Sequence, residues 1–296
     1  MKSGCKQQST GIKARVLVAV FILGTGMILY PFLSNYYNSF HATRAIIDYA
    51  ESVSALNEED TDKIIQSAQE YNRELSNSGT QFNRSEELKT RYQSELNPDG
   101  DGIMGYLEIP KTEIYLPVYH GTEDNVLQVA AGHVDWSSLP VGGSGTHCVI
   151  SGHRGLPSAR LFTDIDKLER GDEIYMSVLD RTYTYIVDNS YIVLPQDVDN
   201  LKIESGKDYL SLVTCTPYGV NTHRLIVRAV RLENAENSVK VTARPEGEII
   251  APIVTAPIIG IPVLVIMLIS INFRDGMIKR RIEKEYADSL RLPWRC

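Results

Sequence analysis

A run of strand-forming residues, Ser211-Leu212-Val213-Thr214, ends at Cys215, and Thr216-Pro217-Tyr218-Gly219 turns the chain directly afterwards. Arg224 follows Cys215 by nine positions (224 − 215) and opens a second alternating stretch, with Leu225, Val227 and Ala229 set against Ile226, Arg228 and Val230. That interval suits an arginine returning on the neighbouring strand. Sixty-two positions before Cys215 (215 − 153), Cys148-Val149-Ile150-Ser151-Gly152 leads into His153 in the same manner. One cysteine, one histidine and one arginine at strand ends are the parts of a thiol acyl-transfer site. The sulfur is the nucleophile, an imidazole exchanges protons with it, and a guanidinium holds developing oxyanion charge. A nearby cation also suits a thiolate. The reading at this point is a cysteine transpeptidase or peptidase. The order His, Cys, Arg differs from papain-like enzymes, where the cysteine comes first, and the caspase Gln-Ala-Cys signature is absent.

The other cysteines and histidines carry less. Cys5 and Cys296 lie near the chain ends. Cys148 stands five residues before His153 on one strand, about 16 Å back at strand rise. It therefore cannot also reach a Cys215 placed beside His153, and reads as a small buried hydrophobe rather than half of a disulfide. His120, His133 and His147 sit in turns or at strand starts, and no pair has zinc-site spacing, so no metal is expected. His223 is adjacent to Arg224 and should face the other side of the strand. Asn97-x-Asp99-x-Asp101-Gly102, with Glu108 further on, fits a calcium-loop pattern. Such a loop should lead into a helix. Here Tyr106-Leu107-Glu108-Ile109-Pro110 reads as a strand, so an Asp/Gly turn is the simpler reading.

The elements that must position the trio follow from texture. Residues 40–96 have helical periodicity (Ala45, Ile46, Ala50, Val53, Leu56, then Ile64, Ile65, Ala68, Tyr71, Leu75). A break falls at Asn77-Ser78-Gly79-Thr80, and a new start at Ser85-Glu86-Glu87-Leu88. From Ile103 onward short strands alternate with Gly, Pro and Asp turns. The candidates are 103–109, 113–119, 146–152, 173–179, 182–188, 191–194, 209–215 and 225–232, with short helices at 124–131 and 161–168. This spacing predicts a closed β-barrel. Two uncharged apolar runs, 16–33 and 249–273, are each long enough to cross a bilayer. Lys2, Lys6, Lys13 and Arg15 precede the first, while Arg274, Lys279, Arg280, Arg281 and Lys284 follow the second. Positive-inside reasoning puts both termini in the cytosol and 34–248 outside, with the first run an uncleaved anchor. The net charge of −7 leaves no basic footprint for nucleic acid.

Several stretches together resemble the sortases. They are Gly102-Ile103-Met104-Gly105-Tyr106-Leu107-Glu108-Ile109-Pro110, Leu116-Pro117-Val118-Tyr119-His120-Gly121, Ser138-Leu139-Pro140-Val141-Gly142-Gly143, Ser151-Gly152-His153-Arg154-Gly155-Leu156-Pro157, Leu161-Phe162-Thr163-Asp164 and Leu212-Val213-Thr214-Cys215-Thr216-Pro217-Tyr218-Gly219. The two-anchor layout is similar to the pilus-assembling class C sortases of Gram-positive bacteria. The resemblance implies a mostly β fold, a sortase-like closed barrel with short helices behind a helical arm, between two transmembrane helices. The expected division is a cytosolic tail (1–15), a membrane helix (16–33), an arm and lid region (34–96) and the barrel (97–235). A linker (236–248), a second membrane helix (249–273) and a basic tail (274–296) follow. By the same resemblance His153, Cys215 and Arg224 are the catalytic trio, with no cofactor. The substrate is a pilin precursor bearing a Leu-Pro-x-Thr-Gly-like signal, joined through a lysine isopeptide bond. A cell-wall-anchoring sortase using a peptidoglycan amine, and a silent pilus scaffold, are the alternatives. Class C members usually carry an Asp-Pro-aromatic lid triplet that 76–90 lacks. Phe82 is the aromatic candidate for that role, an ordinary exposed loop residue being the other reading.

Overall fold

The computed structural model describes residues 9–79, 81–232 and, further on, 265, 269, 274 and 276–287. The chain divides into two compact units, Met1–Glu246 and Gly247–Cys296. In the second unit 276–287 is helical. The linker 236–248 and the second apolar run, apart from 265 and 269, lie outside the described residues.

The first unit opens with α1, Ser9–Ser54, which joins the first apolar run and the start of the helical arm into one helix through Pro31. Proline removes one backbone donor and crowds the preceding turn, a defect that helices in lipid tolerate better than helices in water. Ala19–Ser54 is, among the described residues, the helix long and apolar enough to cross a membrane, and its apolar stretch is 0% buried against the protein. The second half of α1 behaves differently. Ala42, Ile46, Tyr49 and Val53 recur at helical spacing and are buried against β1 (Ile103–Ile109) and β2 (Ile114–His120). Tyr49 fastens this contact, its Oη donating to the Met104 carbonyl at 3.1 Å and accepting from the Leu179 N–H at 2.8 Å.

Helix α2 (Glu58–Ser78) starts where Asn57 Oδ1 accepts from the Asp60 N–H, with Glu58, Glu59 and Asp60 on its positive end. It stops at Gly79, whose φ of 61° is the left-handed conformation that ends helices. Ser85 Oγ caps α3 (Glu86–Tyr92), which buries Leu88 and Tyr92. Residues 97–102 then form a turn. Asn97 Oδ1 accepts from the Gly102 N–H, Asp99 Oδ1 accepts from the Asp101 N–H, and a strand follows, as the Asp/Gly reading requires.

Beyond β1 and β2 come α4 (Asp124–Leu127), β3 (Ala131–His133), β4 (Thr146–Ser151), β5 (Glu173–Val178), β6 (Arg181–Val193), β7 (Asp208–Thr216) and β8 (His223–Arg231). They close in the order β1-β2-β3-β4-β7-β8-β6-β5. Closure gives each strand a partner on both sides. The β2–β3 and β4–β7 pairs are parallel, while β7–β8 and β8–β6 are antiparallel. Alternation sorts the faces. Cys148, Ile150, Leu210, Leu212, Leu225, Val227 and Ala229 fill the interior. Each large aliphatic side chain there is worth about 1.5–3 kcal/mol of burial.

Three elements differ from expectation. The stretches 182–188 and 191–194 are one strand, because a register shift between Val187 and Asn189 absorbs the polar Asp188-Asn189-Ser190 without breaking pairing to β8. Residues 128–131 leave the expected helix, and the three-residue β3 begins at Ala131. In place of a helix over 161–168 there is a single 3-10 turn, Ile165–Lys167, since Leu161 has a φ of 38° that no helix accommodates.

Candidate active site

The parallel pairing of β4 with β7 has a fixed offset. Thr146 faces Asp208 and Ser151 faces Val213, a difference of 62 in each case (208 − 146, 213 − 151). His153 and Cys215 differ by the same 62, two residues past the last paired rung. The pairing continues toward them, with the Gly152 N–H donating to the Val213 carbonyl at 3.1 Å and Thr214 Oγ1 donating to the Gly152 carbonyl at 2.7 Å. On the other side of β7, Cys215 faces Arg224 directly and Thr216 faces His223. The structure thus brings His153, Cys215 and Arg224 onto three adjacent strand ends, each half-buried.

Strand alternation also fixes which face they occupy. Val213 and Ile226 lie two residues before Cys215 and two after Arg224, and Val149 lies four before His153. All three belong to an apolar patch separate from the main core, with Val193 and Leu201. The trio therefore stands on the outer wall of the barrel at the end of an apolar floor. Trp136 and Tyr191 edge that floor, and the β6–β7 connection (194–207) contributes Leu201 to it.

The surrounding turns hold the trio in place. After Cys215 the Thr216-Pro217 peptide is cis, and the Val220 and Asn221 N–H groups both donate to the Pro217 carbonyl at 3.0 Å. Arg224 Nη1 donates to the carbonyls of His223 (3.1 Å) and Asn221 (3.4 Å). Both acceptors are uncharged, and among the described residues no carboxylate neutralises this guanidinium. Beside His153, Arg154 pairs with Asp166 and lies over the Tyr218 ring, tying the histidine loop to the turn after the cysteine. Gly152 is required by close approach, because a Cβ there would come within 2.7 Å of the Phe162 ring.

Cys148 is 2% exposed and faces the barrel core as a free thiol, its ionisation pushed well up by burial. It takes no part in the outer site. His133 and His147 are structural. His133 Nε2 donates to the Ser138 carbonyl at 2.9 Å and its Nδ1 meets Tyr92 Oη at 3.0 Å. His147 Nδ1 donates to the Lys202 carbonyl at 2.9 Å, with Nε2 against Ser211 Oγ at 2.8 Å. Burial pushes His133 down to about 3 and His147 down to about 4, so both are neutral near pH 7. His120 spans the carbonyls of Gly102 and Glu95, and His223 Nδ1 meets Thr222 Oγ1.

The lid candidate Phe82 lies against Trp136, ring centroids 5.0 Å apart, and is 46% exposed. Its neighbours make the firmer contacts. Gln81 Nε2 donates to the Leu201 carbonyl and Gln81 Oε1 accepts from the Ile203 N–H, both at 3.0 Å. Arg84, buried, pairs with Asp135, donates to Tyr71 Oη and sits over the Tyr92 ring. Sequence reasoning did not find Gln81, Arg84 or Trp136. An isolated polar residue in a loop gives no periodic signal of what it touches.

A model of the sortase domain matches residues 107–232. Over 64% of this chain and 99% of the other, the structure is similar to sortase C1 of Streptococcus agalactiae, with 52% identity and a TM-score of 0.63. This chain belongs to the sortase family of cysteine transpeptidases. The sortase C of Clostridium perfringens, solved with the C-terminal cell wall sorting motif, is 40% identical with a TM-score of 0.57, over 65% of this chain and all of that one. Among curated relatives, sortase A of Streptococcus agalactiae is 32% identical over 130 residues. That match covers 43% of this chain, which spans about half (52%) of that relative's length. The sortase match ends at Leu232, one residue after β8.

Proposed function

We propose that this sortase is a membrane-anchored pilin polymerase. The Cys215 thiolate attacks the threonine carbonyl of a Leu-Pro-x-Thr-Gly-like signal on a pilin precursor, and the carbonyl π electrons move onto oxygen. Arg224 stabilises that oxyanion. As the intermediate collapses, the Thr–Gly bond breaks, His153 gives its proton to the departing glycine amine, and a thioester on Cys215 remains. His153 then takes a proton from a lysine amine of a second pilin, whose nitrogen displaces the sulfur and forms the isopeptide bond. Bond for bond, one amide is exchanged for another and no redox partner is needed.

The observation that supports this reading is the offset of 62 that His153 and Cys215 share with the β4–β7 rungs, while Cys215 faces Arg224. The apolar outer floor between Trp136, Leu201 and Ile226 suits the leucine and proline of an extended signal. The class C resemblance, and the sorting motif with which the Clostridium perfringens sortase C was solved, support the substrate class. The exposed apolar half of α1 supports an anchor, and Lys2, Lys6, Lys13 and Arg15 before it favour the N-terminus in the cytosol and the barrel outside. In this scheme Phe82 rests over the floor as a light cover. The experiment is mass spectrometry of the full chain incubated with a sorting-signal peptide. A thioacyl adduct on Cys215 resolved by a lysine-containing pilin supports the reading. An adduct resolved only by a peptidoglycan-type amine makes it a cell-wall-anchoring enzyme, and no adduct leaves a scaffold.

A further inference from the structure

The loop that leaves His153 is pinned from outside the barrel. At its base the Phe162 N–H donates to the His153 carbonyl at 3.0 Å, and the Gly155 N–H donates to Thr163 Oγ1 at 3.2 Å. At its tip two asparagines of α1 hold it. Asn38 Nδ2 donates to the Ser158 carbonyl and Asn35 Oδ1 accepts from the Arg160 N–H, each at 2.8 Å. Three residues apart, Asn35 and Asn38 share one face of the helix. Between their two contacts Ala159 is 5% exposed and packs into the core. The residue after the clamp, Leu161, has a φ of 38°. A leucine keeps that conformation only where its surroundings impose it. Here Arg160 is fixed by Asn35 before it, and Phe162 by the His153 carbonyl after it.

We propose that Asn35 and Asn38 are positioning residues for His153, and that the anchor helix is thereby part of the active site's support. Tension at the tip of the loop passes through the constrained Leu161 to Phe162 and so to the His153 carbonyl. Without the clamp the imidazole loses its fixed place beside Cys215, while the apolar floor that receives the signal is untouched. The inference rests on the acid–base role given to His153 above.

The two asparagines act in opposite senses, which makes the test specific. Asn35 serves as an acceptor, so Asn35→Asp keeps its bond. Asn38 serves as a donor, so Asn38→Asp sets a carboxylate against a carbonyl. Full-length variants in lipid nanodiscs are assayed with a sorting-signal peptide and an amine acceptor. Asn35→Ala and Asn38→Ala should each lower kcat about 5- to 20-fold, within the range misplacement of a catalytic group produces. KM for the peptide and the alkylation rate of Cys215 should stay within about two-fold. Asn35→Asp should restore wild-type kcat and Asn38→Asp should not. Unchanged kcat in the double alanine variant overturns the proposal, as does a fall in kcat and a rise in KM that merely track lost thermal stability. Failure of the wild-type chain to form any thioacyl adduct is a different result, because it removes the acid–base reading itself. In that case the clamp is still read from amide exchange at Arg160, which Asn35→Ala should accelerate.

Discussion

The two halves of the site are built by different means. Cys215 and Arg224 face each other across an antiparallel ladder whose rungs run without interruption from Tyr209–Val230 to Thr216–His223. His153 lies two residues beyond the last rung of β4, and its place depends on a loop tied to α1. The first half can shift only if the barrel opens. The second can shift through one loop while the barrel stays intact. With the roles proposed above, a site assembled in this way separates nucleophile placement from proton-transfer placement, and substitutions should separate them too.

The largest expected effect lies in the ladder half. Cys215→Ala should abolish the thioacyl adduct and lower turnover by about 10³-fold or more. Cys148→Ala, on the opposite face of the sheet, should leave turnover nearly intact and cost about 1 kcal/mol in urea unfolding. Polymer formation by Cys215→Ala in a strain with no second sortase would break the comparison.

Next comes acid. His147 lies on the same outward row as His153, six residues earlier, and differs in being covered. His133 and His147 are neutral in the fold, with values near 3 and 4 against 6.5 when unfolded. Below pH 6.5 the unfolded chain takes up protons that the native chain refuses, so stability is full above that pH and falls toward pH 4. Each histidine removes up to about 1.4 kcal/mol per pH unit in that window. Urea titrations at pH 7 and pH 5 measure this. Equal midpoints at the two values would mean that neither ring is buried neutral.

Arg224→Lys keeps the charge and loses the fork, so acylation should fall about 10²-fold with little change in stability. Single-turnover acylation near the wild-type rate would leave Arg224 a structural role. In the histidine half, Gly152→Ala drives a methyl against Phe162. Overpacking of this kind costs about 1–3 kcal/mol. It should lower kcat about ten-fold while Cys215 alkylation continues unchanged. Equal loss of both would show that the two halves move together.

The smallest effect is at Phe82. A half-exposed ring on Trp136 is worth about 0.5 kcal/mol, the low end for an aromatic pair. Phe82→Ala should therefore change the alkylation rate of Cys215 less than about three-fold. Strong protection that survives the substitution would assign the cover to another segment.

Much of this was legible because its signals are periodic. Alternating apolar residues gave seven of the eight strands, and the positions of Cys215, His153 and Arg224 at or just past strand ends marked them as candidates. β3 escaped because Ala131-Gly132-His133 is too short to alternate and its neighbours continue a helical pattern. β6 was divided because Asp188-Asn189-Ser190 has turn composition, and only pairing with β8 keeps it extended. The offset of 62 was visible as a spacing, yet its meaning needed the knowledge that β4 and β7 are parallel neighbours. Asn35 and Asn38 gave no signal, since a single asparagine contact 120 or more residues away leaves no trace in local sequence.

Gln81 makes its two bonds to Leu201 and Ile203 with one planar amide, in the way a peptide group completes a rung of sheet. It therefore joins two segments far apart in sequence, the residues before α3 and the connection that walls the apolar floor. Order in such a joint is shared. A peptide that steadied 194–207 would favour a seated Gln81 by the same free energy with which a seated Gln81 favours that peptide. If Phe82 covers the floor as proposed, the cover and a bound signal are, through this one amide, thermodynamic partners as well as competitors for space.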